Sequence, residues 1–282
     1  MRIDKLLKNK KTVSFEFFPP KEAAQESVLF DTINKLAPLN PDFVSITYGA
    51  GGSVAHKTFD WTLKLKDEYK FNSMMHITCY GNNADSLRDI CGRIYESGID
   101  NLLALRGDPP KEEGQLLKNN YSYAEELVKF ISDNYPGLCI GVAGYPEKHI
   151  HAASMKADIE NAKRKIDAGG SFIITQLFFD NAFFYRYRDM LAQTGINVPV
   201  LAGIMPIVNY KQIIRFTQMC GSTLPPSLVE KFEKATDSDA VKIGEEYAFI
   251  QSQDLFAQGA DGIHYYTLNR YSSVLNILKR TF

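Results

Sequence analysis

Residues 85–108 read DSLRDICGRIYESGIDNLLALRGD, and three physical signals follow one another along that stretch. Leu87, Ile90, Cys91 and Ile94 recur at helical spacing, so they share one face of an amphipathic helix. Gly98 then supplies the kind of residue that ends many helices. The run NLLAL at 101–105 is short and almost continuously apolar, the pattern of a parallel strand covered on both faces. It gives way at once to the polar Arg106-Gly107-Asp108.

The same unit recurs along the chain. Strand-like runs occupy 12–18 (TVSFEFF), 43–48 (FVSITY), 74–80 (MMHITCY), 139–143 (CIGVA), 172–179 (FIITQLFF), 198–204 (VPVLAGI) and 262–267 (GIHYYT). Amphipathic stretches lie between them, and glycines at 169–170, 195 and 259 close further helices. About eight β/α units without a linker predict a closed (β/α)8 barrel, one domain spanning residues 1–282, rather than an open doubly wound sheet. The glycine-rich turn at 49–52 lacks the GxGxxG pattern of a dinucleotide-binding Rossmann unit. The connection 221–259 is longer than one unit needs and contains helical patterns at 228–234 and 240–257, so an extra helix is expected before the last barrel helix.

Charge and cysteine usage narrow the function class. The 282 residues carry 32 basic and 33 acidic side chains, a net charge of −1. A nucleic-acid or membrane-surface binder needs a basic excess to meet phosphates, so neither partner is expected. Cys79, Cys91, Cys139 and Cys220 form no CxxC pair, which reads as reduced thiols. The N-terminal stretch is charged without an apolar segment behind it, and a cytoplasmic location is expected.

In a barrel of this kind, the C-terminal strand ends and the loops after them form the reactive face. Polar residues gather there: Glu16, Thr47-Tyr48, His76, Arg106-Gly107-Asp108, Tyr145 with His149, Gln176, and Tyr266 through Arg270. Glu16 stands between Phe15 and Phe17, where an apolar setting would disfavour the charged carboxylate and suit a general acid. Arg106 and Asp108 flank a glycine, a pattern that serves a surface ion pair or a charged clamp on a ligand. His76 reads as a core group, and no second histidine or cysteine stands at metal-ligand spacing, so no metal is expected. The segment 156–165 (KADIENAKRK) places Asp158, Asn161 and Lys165 on one helix face, which alone reads as solvated. The competing enzyme class is a metal-dependent barrel lyase or hydrolase built on His76, Asp108, His149 and His151.

The motifs resemble, in order and over nearly the whole chain, those of methylenetetrahydrofolate reductases of the short bacterial type. They are VSFEFFPPK (13–21), VSITYG (44–49), HITC (76–79), ALRGD (104–108), YPE (145–147) with His149, KRKIDAG (163–169), TQLFFD (175–180), GIMP (203–206) and YTLNR (266–270). The resemblance implies a barrel that holds FAD noncovalently, takes electrons from NADH or NADPH, and then reduces methylenetetrahydrofolate to methyltetrahydrofolate at the same site, supplying methyl groups for methionine synthesis. It implies Glu16 as the acid that protonates the folate, and Asp108 as a carboxylate near flavin and pterin. Thr47, Gln176, Tyr210 and Arg270 would meet folate or nicotinamide. Tyr48, Ala50, His76, Leu105, Arg106, Gly107, Asp108, Ala124, Tyr145, His149, Ala152, Asp158, Asn161, Arg164 and Lys165 would hold the flavin. Relatives are usually dimers or tetramers, so a homo-oligomer is implied. Tyr210 stands where Phe is frequent, Gly144 where Ala is common, and Ile150 where Pro is expected.

Overall fold

The computed structural model describes residues 1–20, 22–48, 55–107 and 121–281. Eight strands are present: β1 (Thr12–Phe17), β2 (Phe43–Ile46), β3 (Ser73–Thr78), β4 (Asn101–Leu105), β5 (Cys139–Gly144), β6 (Phe172–Thr175), β7 (Val200–Ile204) and β8 (Gly262–Tyr266). They close into a barrel in chain order, every neighbouring pair parallel, with β8 beside β1. The (β/α)8 expectation is met.

Successive side chains on a strand point to opposite faces, and that alternation sorts the core. Phe15 and Phe17 pack outward with Leu29 and Ile33 of α2 (Ala23–Leu36). A separate apolar layer fills the barrel's N-terminal end, with Phe43, Met74, Leu103, Phe172 and Leu201 among its members. The short helix α1 (Ile3–Leu7), which the sequence reading did not expect, plugs that end with Ile3 and Leu7. Each such buried side chain contributes about 1.5–3 kcal/mol. Asn101 ties the plug down, accepting from Ile3 N at 2.8 Å and donating to Met1 O at 3.1 Å.

Outer helices follow the strands: α3 (Ala55–Asp67), α4 (Ala84–Glu96), α5 (Ala124–Asn134), α6 (Met155–Asp167) and α7 (Asn181–Gln193) after β2 to β6. In α4, Leu87, Cys91 and Ile94 are buried, as the spacing predicts. The strand expected over 172–179 stops at Thr175. Leu177, Phe178 and Phe179 stay buried, but their carbonyls accept from Ser222 Oγ, Gln251 Nε2 and Tyr247 Oη instead of from a neighbouring strand. Buried backbone needs partners, and here side chains supply them.

Between β7 and β8 lie three helices, α8 (Tyr210–Cys220), α9 (Pro226–Glu233) and α10 (Asp237–Ala257), before the closing α11 (Ser272–Thr281). α10 packs on β7, α7 and α11 as a barrel helix does, so two helices are additions, one more than expected. The additions form their own apolar cluster around Leu177, Ile213, Leu228 and Phe232. Among the described residues no helix is long and apolar enough to cross a membrane, and all four cysteines are free.

Candidate active site

Glu16 faces the barrel interior and is 7% exposed. The phenylalanines beside it in sequence point away from it, because neighbours on a strand face opposite sides. The apolar cradle expected from the sequence is therefore corrected: the carboxyl group stands among polar side chains from three other strands. Its Oε2 lies 3.4 Å from His264 Nε2 on β8 and 3.5 Å from His76 Nε2 on β3. His264 Nδ1 is 2.7 Å from Ser14 Oγ, and its Nε2 is 3.4 Å from Ser45 Oγ on β2.

Burial pushes the His76 imidazole down to about 4, against an opposing pull from Glu16 and with a smaller downward push from His264. His76 is thus neutral near pH 7, and its buried Nε2 makes no hydrogen bond. Above Glu16, Tyr266 Oη donates to Thr175 O at 2.7 Å, across the place where Gly203 has no side chain. A Cβ at Gly203 would stand 2.1 Å from that carbonyl oxygen and 2.7 Å from the tyrosine oxygen. Burial, then the nearby Glu16, keeps the Tyr266 hydroxyl protonated well above its ordinary range. The Glu16 carbonyl accepts from Thr267 Oγ1 at 2.6 Å, and Asn269 clasps the Phe18 backbone through N–H and C=O at 2.8 and 2.9 Å. Leu268 and Asn269, at φ 51° and 55°, make the sharp turn that this clasp requires and deliver Arg270 to the exposed surface.

The remaining expected residues fall into groups. At the β2 and β3 ends, Thr47 O accepts from Thr58 Oγ1 at 3.1 Å, and the buried Tyr48 hydroxyl accepts from Asn82 Nδ2 at 3.3 Å. At the end of β4, Leu105, Arg106 and Gly107 are half-buried, with Arg106 Nε turned to Gly107 O at 3.2 Å. Ala50 and Asp108 lie outside the described residues. Gln176 is half-buried just past β6, its Oε1 accepting from Leu177 N at 2.9 Å. Tyr210 opens α8, its ring stacked on Phe232 at 5.3 Å between centroids.

A second cluster forms where β5 meets α6. The Tyr145 and His149 rings meet edge to face at 4.6 Å, and His149 N donates to Asp158 Oδ2 at 3.2 Å. Lys165 is buried against the Tyr145 ring and donates to Ala143 O. Burial pushes its ammonium down to about 8, with Asp158 and then Glu125 pulling the other way. Burial also raises Asp158, opposed by the His149 N–H and by Lys165 and Lys148. Ala152 O accepts from Lys148 Nζ at 2.8 Å. Along the α5–α6 seam, Arg164 meets Asn161 and pairs with Glu125 at 3.3 Å, next to Ala124 at the start of α5. A groove of about 710 Å³ runs along this seam on the barrel flank, rather than over Glu16. The helix face read as solvated is thus half sunk into the barrel wall.

Two departures have local reasons. An Ala at position 144 would bring its Cβ to 2.4 Å from the Tyr187 hydroxyl oxygen, so the glycine makes room for that ring. Ile150 rests on Gly221 at the end of α8, whose Cβ would meet the isoleucine at 2.7 Å. Sequence reasoning missed His264, Ser14, Ser45 and Glu125. Period-two reading of β8, where Gly262, His264 and Tyr266 share a face, would have found the histidine. Among the described residues no group of three or more His, Cys, Asp or Glu side chains is arranged to hold a metal, and Asp108, one member of the metal-dependent set, lies outside them.

Comparison with known proteins adds a second line. A family model described as methylenetetrahydrofolate reductase matches residues 2–281. The chain is 36% identical to the 5,10-methylenetetrahydrofolate reductase of Escherichia coli (strain K12), over 92% of this chain and 86% of that one. It is 36% identical to the enzyme of that name from Pectobacterium carotovorum, over 94% and 88%. An Arabidopsis thaliana protein named methylenetetrahydrofolate reductase (NADH) 1 is 37% identical over 94% of this chain, which spans 47% of that longer protein. A solved structure, described as an uncharacterized Clostridium thermocellum protein that binds two copies of 5-methyl-5,6,7,8-tetrahydrofolic acid, superposes with a TM-score of 0.68 at 15% identity, covering 98% and 96% of the two chains. That likeness is one of fold.

Proposed function

The chain belongs to the methylenetetrahydrofolate reductase family, and on that premise we propose that it reduces 5,10-methylenetetrahydrofolate to 5-methyltetrahydrofolate with electrons from NADH or NADPH, passed through a noncovalent FAD. The observation that carries the reading is Glu16, a buried carboxyl group at the C-terminal end of the barrel, with two imidazoles at one of its oxygens.

The residues at the β5–α6 junction fit a flavin dinucleotide. Lys165 offers a buried ammonium with one hydrogen bond, to Ala143 O, and so keeps donors for a phosphate. Asn161 and Arg164 lie on the same helix, where a guanidinium can meet phosphate or stack on a ring. FAD, when bound, supplies the hydride chemistry; the chain supplies binding, orientation and a proton. Glu16 protonates the folate so that its five-membered ring opens to an iminium able to accept hydride. Gln176 and Thr47 orient folate and nicotinamide at the same mouth, with Tyr210 and Arg270 at its edge and Asp108 acting on flavin and pterin. With this reading go a cytoplasmic setting, a homo-oligomer and a supply of methyl groups for methionine synthesis.

The test is two half-reactions on the purified protein. A bound flavin should be bleached by NADH or NADPH and recoloured by methylenetetrahydrofolate. Glu16→Gln should leave bleaching unchanged and slow recolouring by about 10²-fold or more, the usual contribution of a positioned acid. Recolouring at the parent rate would remove Glu16 from its role, and a colourless protein that binds no flavin would remove the reading itself.

A further inference from the structure

We propose that His264 is a positioning residue: held by Ser14 in its Nε2–H tautomer, it donates to Oε2 of Glu16 and leaves the transferable proton on Oε1. The inference rests on Glu16 being the acid.

The ring of His264 has no freedom to turn. It is fully buried, stacks on Phe43 at 5.7 Å with a 15° interplanar angle, and meets Tyr266 edge-on at 5.7 Å. A neutral imidazole carries one N–H and one lone pair, so the partner of one nitrogen decides what the other offers. Ser14 Oγ is 2.7 Å from Nδ1 and 3.4 Å from Ile263 O. A hydroxyl has a single hydrogen, and the shorter, stronger bond takes it. Ser14 therefore donates to Nδ1, and the ring hydrogen sits on Nε2.

From there it points at Oε2 of Glu16, 3.4 Å away, with Ser45 Oγ at 3.4 Å as a second acceptor. The opposite tautomer would set the Nε2 lone pair against a carboxylate oxygen and, with Ser14 Oγ accepting from Nδ1–H, leave the hydroxyl hydrogen only the 3.4 Å bond to Ile263 O. His76 Nε2 approaches the same oxygen at 3.5 Å. Both imidazoles crowd Oε2, while Oε1 takes no hydrogen bond from any described residue. An acid whose Oε2 is held as an acceptor carries its proton on Oε1, the oxygen free to meet substrate.

The groups facing the carboxyl group are Ser45 from β2, His76 from β3, and His264 and Tyr266 from β8. His264→Phe keeps a filler and removes the donor to the carboxylate, whereas His264→Gln keeps a donor.

The decisive measurement is nitrogen NMR on the holoenzyme, with His264 assigned among the five histidines by its loss in His264→Gln. The expected spectrum of the neutral ring is Nε2–H, read at pH 8 to 9, and a tautomer mixture in Ser14→Ala; an Nδ1–H ring in the parent overturns the proposal. In kinetics, His264→Phe should slow flavin reoxidation by methylenetetrahydrofolate at least about tenfold, a part of what a positioned acid contributes. It should leave flavin reduction by NADH within about twofold. His264→Gln, whose amide can still donate, should recover most of the rate. A phenylalanine variant that reoxidises at the parent rate, or Gln no better than Phe, refutes the positioning role. Unchanged recolouring in Glu16→Gln refutes the acid itself, whatever the NMR shows.

Discussion

Neutral His76 should make the barrel sensitive to mild acid. Its imidazole is 4% exposed and is pushed down to about 4, from an ordinary value of 6.5. In the unfolded chain the same ring takes up its proton near 6.5. Between pH 6.5 and 4 the unfolded state therefore binds more protons, and stability rises with pH across that window. The contribution is fully present above the unfolded value and is lost as pH falls towards 4. With those two values, linkage gives a loss of about 2 kcal/mol between pH 7 and pH 5 and roughly 3 kcal/mol by pH 4. Urea unfolding followed by circular dichroism at pH 7 and pH 5 measures it, provided that the parent is compared with His76→Gln. The glutamine cannot be charged, so the difference between the two pH slopes isolates this ring from the carboxylates that titrate below it. The parent should lose about 2 kcal/mol more than the variant over the interval. Equal slopes would mean that the folded ring takes its proton as easily as the free one, and the neutral imidazole beside Glu16 would be wrong.

Two further expectations concern different walls of the site. Gly203→Ala places a methyl group 2.1 Å from Thr175 O and 2.7 Å from the Tyr266 oxygen, so the strand or the tyrosine must move; a cost of about 1–3 kcal/mol follows, read as a lower melting temperature, and an unchanged one would mean the barrel yields there freely. Lys165→Met should raise the dissociation constant for FAD on the order of tenfold, the scale of one lost charge-assisted hydrogen bond. Because the parent ammonium is pushed down to about 8, FAD affinity should weaken from pH 7 to 9 in the parent and stay flat over that range in the methionine variant. Flavin fluorescence quenching measures both, and a parallel decline in the two proteins would remove Lys165 from the cofactor site.

The barrel was legible because its strands are short, largely apolar runs covered on both faces and each is followed by an amphipathic stretch. What was not legible depends on contacts far apart in the chain. The stretch after Thr175 is as apolar as a strand, but its carbonyls are taken by Ser222, Tyr247 and Gln251. α1 carries only Ile3 and Leu7 as buried residues among charged ones, too short a pattern to stand out. Glu16 is buried, as the sequence suggests, yet its surroundings were inferred from sequence neighbours that turn away from it. The α6 face was misread for a related reason: Asp158 and Lys165 look like solvent-facing charges until the β5 end closes over them.

Alternation around the barrel gathers the polar side chains near Glu16 on one wall. Towards the C-terminal mouth, Glu16's face carries Ser14 and Glu16, Ser45, His76, and His264 with Tyr266 on β1, β2, β3 and β8, over the apolar layer that holds Phe43 and Met74. The opposite wall presents Leu103, Ile174 and Leu201 to the interior, with glycines at 141 and 203 where neighbouring side chains cross. The interior is thus divided into a hydrogen-bonding half and an apolar half. Polar groups on β1, β2, β3 and β8 neighbour one another across the closure between β8 and β1, which a linear reading places at opposite ends of the sequence. Closure of the sheet brings Ser14 and His264, 250 positions apart, into contact, and only then does Glu16 acquire its partner. The acid's chemistry is therefore a property of barrel closure as much as of the residue at position 16.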